Sequence, residues 1–80
     1  RALQALGTRI AALEGRIAER ENAVKAAEAA MTAPGFYDDR EAAKAVLDQH
    51  QALMWEVGEL LGQWEMLQAE AEEMKSTLAT

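Results

Sequence analysis

The sequence predicts an all-α fold, an antiparallel two-helix coiled-coil hairpin that takes up residues 1–80 as a single domain. Three observations predict it. Two long stretches carry apolar residues at alternating three- and four-residue spacing, the repeat of a coiled-coil seam. One short segment between them, MTAPGFYDDREAAK at residues 31–44, holds the only proline, an adjacent glycine and two adjacent aromatics. The rest is alanine, leucine and charged residues, and the 50% hydrophobic content comes with five glycines and one proline in all, a composition that favours helix.

Helix 1 is expected over about residues 2–32, with a seam of Leu3, Leu6, Ile10, Leu13, Ile17, Arg20, Val24, Ala27 and Met31. The bend follows at about 33–38. Pro34 lacks a backbone donor and disfavours helical geometry at Ala33, while Gly35 takes positive φ at little cost, so helix 1 should stop near Thr32. Asp38, followed three residues later by Glu41, reads as a capping box that opens helix 2 over about 39–78. The second seam runs Val46, His50, Leu53, Val57, Leu60, Trp64, Leu67, Ala71, Met74 and Leu78.

A short bend makes the helices antiparallel. Pairing positions whose numbers total 70 sets Leu3 against Leu67, Leu6 against Trp64, Ile10 against Leu60, Leu13 against Val57, Ile17 against Leu53, Val24 against Val46 and Ala27 against Ala43. Every layer then joins an a to a d position. In this register Arg20 and His50 share a polar layer, Arg16 faces Glu56, and Arg9 lies between Glu56 and Gln63. Ala71, Met74 and Leu78 find no partner, so helix 1 is expected to continue upstream in a longer parent protein. A chain of this length supports only a few kcal/mol from one core, which likewise points to a partner or a larger parent.

The net charge of -6 is unevenly placed, with +1 on residues 1–35 and -7 on residues 36–80. Nucleic-acid modules usually carry a basic surplus, so any such contact here rests on local arginines rather than on bulk charge. The candidates are Arg9, Arg16 and Arg20 on helix 1, and Arg40 and Lys44 near the bend. A second surface is formed by Leu47, Met54 and Leu61, seven residues apart beside the seam of helix 2, with Trp55 on its outward side. They face Glu21, Glu14 and Gly7 in the register above and read either as the half-buried edge of the hairpin or as a docking strip for another helix or domain, the parent protein's core or a second hairpin.

Several classes of function are excluded. With no cysteine there is no disulfide framework or thiolate metal site, and His50 has no second ligand one turn away. Apolar runs fall well short of the ~20 residues of a membrane helix, and the opening RALQALGTRI is not a secretory signal. No Ser/His/Asp or Cys/His set and no G-x-x-x-x-G-K-[ST] loop occurs, so the chain is not expected to be an enzyme; no catalytic, cofactor-binding or metal residue is assigned. The carboxylates of EAEEMK read as a solvated helical face.

The first run Arg1 to Glu14 (RALQALGTRIAALE), the bend Pro34 to Tyr37 (PGFY), the pair Val46–Leu47 and the stretch Leu60 to Leu67 (LLGQWEML) together resemble the C-terminal coiled-coil domain of ABC-F ATPases of the Uup-like group, over about residues 1–67. The resemblance implies a cytoplasmic parent with two ATP-binding cassettes, which would use ATP and magnesium, ending in a helical hairpin that assists binding to DNA or the ribosome. Three departures accompany it. The spacing from Ile10 to Phe36 and Tyr37 is about one heptad longer than the family pattern leads one to expect, Gly7 stands where the family often has proline, and Gln63 where an arginine often precedes the tryptophan. The stretch PGFYDDREAA also resembles the helical bend in the N-terminal domain of bacterial peptide release factors, an alternative ranked lower because of the run through Trp64 and the long regular seam of helix 1.

Overall fold

The computed structural model of the chain describes residues 1–79. Two helices, α1 (Ala2–Met31) and α2 (Arg40–Ala79), flank a single 3-10 turn (Phe36–Asp38). They form a rod of 63 × 15 × 14 Å. Its length is that of α2, whose 40 residues at about 1.5 Å each reach roughly 60 Å.

The bend is built as proline and glycine dictate. Thr32 closes α1, its amide donating to Glu28 O at 3.2 Å and its hydroxyl to Ala29 O at 3.1 Å. Ala33 to Phe36 then form a type II β-turn. Pro34 sits at the second position, Gly35 has φ 78° and ψ 6° at the third, and the Phe36 amide donates to Ala33 O at 3.2 Å. The cap of α2 corrects the sequence reading by one residue. Asp39, not Asp38, has extended backbone (φ -106°, ψ 103°) and accepts the Ala42 amide at its Oδ1, 3.1 Å away. The 3-10 turn takes up Asp38, so the capping box with Glu41 does not form.

The antiparallel pairing holds, but in a register one heptad away from the expected one. Three side-chain contacts cross the hairpin: Trp64 Nε1 donates to Glu14 Oε2 at 3.1 Å, Arg20 Nε to Glu56 Oε1 at 3.0 Å, and His50 Nε2 lies 3.0 Å from Glu28 Oε2. Their residue numbers total 78, 76 and 78, which places the pairing constant near roughly 77. The layers become Leu3 with Met74, Leu6 with Ala71, Ile10 with Leu67, Leu13 with Trp64, Ile17 with Leu60, Val24 with Leu53 and Met31 with Val46. Every member of these layers is buried or half-buried. Arg20 and His50 therefore do not share a layer: Arg20 lies opposite Val57, and His50 opposite Ala27, whose small side chain leaves room for the imidazole. Ala71 and Met74, expected to lack partners, pack on the core formed by Leu6, Ile10, Leu13, Ile17, Leu60 and Leu67.

The bend explains the offset. The turn and the 3-10 segment carry the chain past the end of α1 before α2 begins, so the first turn of α2 stands level with the loop. There Ala43 is 3% exposed, although the helix it was expected to meet has ended. Two helices give only one contact layer, and no large side chain is completely enclosed among the described residues. This single seam is the whole hydrophobic core, and it leaves both long edges of the rod open.

Candidate interaction faces

One edge carries the free arginines. The expected pairing of Arg16 with Glu56, and of Arg9 near the same carboxylate, does not occur, because Arg20 holds Glu56 at 3.0 Å and Glu19 at 3.5 Å. Arg9 and Arg16 have no hydrogen-bond or ion-pair partner among the described residues. They border an open groove of about 440 Å³ together with Ala12, Leu13, Gln63, Met66 and Leu67. No carboxylate lines it. Seven residues along a helix set the two guanidiniums roughly 10 Å apart along the rod, and each offers planar, forked donors suited to phosphate oxygens.

The two cations near the bend are placed differently. Arg40 opens α2, and Lys44 Nζ donates to Asp48 Oδ2 at 2.7 Å, both groups being exposed. The hydrogen bond to Asp48, followed by the attraction of its charge, raises the Lys44 pKa above the usual lysine value, so the ammonium stays charged but is locally countered. Arg16 lies 15 residues before the end of α1, which puts more than roughly 20 Å between it and the bend. The five cations named from sequence are thus two separate groups, each with one paired member, Arg20 with Glu56 in the first and Lys44 with Asp48 in the second.

The opposite edge carries the apolar strip. Leu47, Met54 and Leu61 are 36%, 51% and 38% exposed, and Trp55 is 72% exposed. Their neighbours across the hairpin differ from those expected, by the same heptad slip. Met54 lies beside Glu21, Val24, Lys25 and Glu28, and Leu61 beside Glu14, Ile17, Ala18 and Glu21. Glu14, Glu21 and Glu28 follow one another at seven-residue intervals, so they form a row along α1 flanking the strip. Glu14 is hydrogen-bonded to Trp64 and Glu28 to His50, whereas Glu21 has no partner among the described residues. On the far side, Gln51, Met54, Trp55, Gly58 and Glu59 frame a shallow groove of about 400 Å³.

The sequence named these arginines and the strip and set Glu14 and Glu21 against the strip, but did not indicate Glu28 or the groove partners Ala12 and Met66. The glutamate spacing was visible in the sequence. Which strip residue each glutamate would stand beside depends on the register, and that was not.

The family model described as ABC transporter C-terminal domain matches residues 1–69. The match takes in the stretch Pro34 to Ala43, on which the release-factor resemblance rested. No curated protein and no solved structure matches the chain. No described helix is long and apolar enough to cross a membrane.

Proposed function

Since the chain belongs to the ABC transporter C-terminal domain family, a non-catalytic module of ABC ATPases, we propose that it serves a cytoplasmic ATPase of the ABC-F, Uup-like group by helping it bind DNA or the ribosome. In this reading ATP and magnesium are handled by cassettes of the parent protein, and the hairpin supplies reach and a phosphate-facing edge. The observation that carries the reading is the groove of Arg9 and Arg16, two guanidiniums with no partner on a chain whose net charge is -6. Unpaired arginines on an acidic protein are not explained by intramolecular charge balance. Arg20, held by Glu56, contributes less, and Arg40 with Lys44 forms a secondary contact at the bend.

The test is a binding isotherm for labelled duplex DNA and for ribosomal RNA helices at several salt concentrations. Replacing Arg9 and Arg16 together by glutamate is expected to weaken binding and to flatten the salt dependence by about two phosphate contacts. Binding that is unchanged by this pair, or that responds only to Arg40→Glu with Lys44→Glu, would move the contact away from the groove. Competition between DNA and ribosomal RNA separates the two target classes.

A further inference from the structure

We propose that the strip of Leu47, Met54 and Leu61 docks a basic amphipathic helix of a protein partner, making the rod locally three-stranded. The three side chains project at seven-residue intervals and are 36–51% exposed, the spacing that a third helix meets with its own heptad-spaced apolar residues. From Leu47 to Leu61 the strip is about 21 Å long, which four turns of helix cover.

The sign of the partner's charge comes from what surrounds the strip. Glu14, Glu21 and Glu28 flank it on α1, with Lys25 the one cation beside Met54, and Glu59 flanks the Trp55 groove on α2. The indole of Trp55 is 72% exposed next to that carboxylate. An aromatic face beside an anion is a seat for a guanidinium or ammonium group. A second copy of this hairpin does not satisfy these demands, since a two-fold contact through the strip sets each glutamate row against its equivalent when the rods run antiparallel and against the flank bearing Glu59 when they run parallel, like charge against like in both. A helix with lysine or arginine on both sides of an apolar stripe does satisfy them.

Two fluorescent 18-residue peptides test the inference against the full 80-residue chain. Both carry leucine at heptad positions; one is flanked by lysine and arginine, the other by glutamate. By anisotropy at physiological salt the basic peptide is expected to bind at least about tenfold more tightly than the acidic one. Met54→Glu should weaken it by about tenfold or more although it adds a favourable charge, because the apolar contact is lost. Met66→Glu, the same charge on the opposite edge at a residue that is 73% exposed, should leave it nearly unchanged. Glu21→Lys, at an exposed and unpartnered side chain, should lower affinity for the basic peptide and raise it for the acidic one, and this variant tests the assignment independently of Met54. The inference is overturned if neither peptide binds, if the two bind equally, or if Met54→Glu leaves the affinity unchanged or tighter. It is also overturned if sedimentation shows a dimer of the chain that Met54→Glu abolishes.

Discussion

Replacing Ala71 by leucine distinguishes the observed register from its neighbour. Ala71 is 5% exposed and faces Leu6, which is also 5% exposed, so three added carbons have no free volume to enter. Overpacking of this kind costs about 1–3 kcal/mol. In a domain of this size each kcal/mol moves the melting temperature by about 4–8 °C, so Ala71→Leu should melt at least roughly 5 °C below the parent when followed by far-ultraviolet circular dichroism. In the register one heptad away, position 71 has no partner, and leucine there is a neutral or mildly favourable exchange of one good helix former for another. A melting temperature that stays level or rises would refute the pairing. A covalent readout accompanies it, since the chain has no cysteine of its own. The pair Leu6→Cys with Ala71→Cys should oxidise to a disulfide, and the pair Leu6→Cys with Trp64→Cys should not. Seven residues of axial offset amount to roughly 10 Å, beyond the ~7 Å between Cα atoms that a disulfide tolerates. The opposite pattern of cross-linking would refute the register as firmly as the melting data.

Three further outcomes follow from the bend and the outer surface. Asp39→Ala removes the acceptor for the Ala42 amide and should cost about 0.5–2 kcal/mol in chemical denaturation, whereas Asp38→Ala should stay below about half a kcal/mol; equal losses would restore the cap to Asp38. Gly35→Ala should destabilise by about 1–2 kcal/mol, since φ is 78° and the new Cβ would stand 3.0 Å from Asp38 Oδ2, while Gly15→Ala, with nothing within 4 Å of its Cβ, should stabilise by up to about 1 kcal/mol. For the partly exposed pair of Arg20 and Glu56, a double-mutant cycle should return a coupling of only about 0.2–1 kcal/mol that shrinks with added salt; a larger, salt-resistant value would mean a drier contact than the one described.

The heptad pattern carried the fold into view but could not carry the register, and the reason is periodicity itself. Sliding one helix by seven residues puts an a position where an a position was, so apolar layers that total 70 and layers that total roughly 77 satisfy the same rule. Discrimination had to come from features that do not repeat. Glu14 beside Trp64, Glu56 beside Arg20 and Glu28 beside His50 coincide only in the observed alignment. Burial of Ala71 and Met74 adds apolar contact that the other alignment forgoes. The bend was legible as a bend because proline and glycine announce it. Its asymmetry was not, because the climb of the chain past Met31 depends on a β-turn followed directly by a 3-10 turn, and the second of these leaves little trace in composition.

The same slip governs the electrostatics of the two edges, and hence the functional reading. Were Arg16 opposite Glu56, the basic edge would be paired within the molecule and little charge would remain for a phosphate backbone. In the observed register Arg20 takes that carboxylate, and Arg9 and Arg16 are left facing an open groove without an anion. On the other edge, Glu14 and Glu21 stand beside the strip of half-exposed apolar side chains in either register, and the slip adds Glu28 to the row in place of Gly7. A displacement that the hydrophobic seam cannot sense thus frees two arginines on the basic edge and completes the glutamate row on the apolar one. Two surfaces of opposite sign on a rod 15 Å across lie further apart than a Debye length of about 8 Å at physiological salt, so each can meet its own ligand with little interference from the other. Charge reversal on one edge should accordingly leave binding at the other almost untouched.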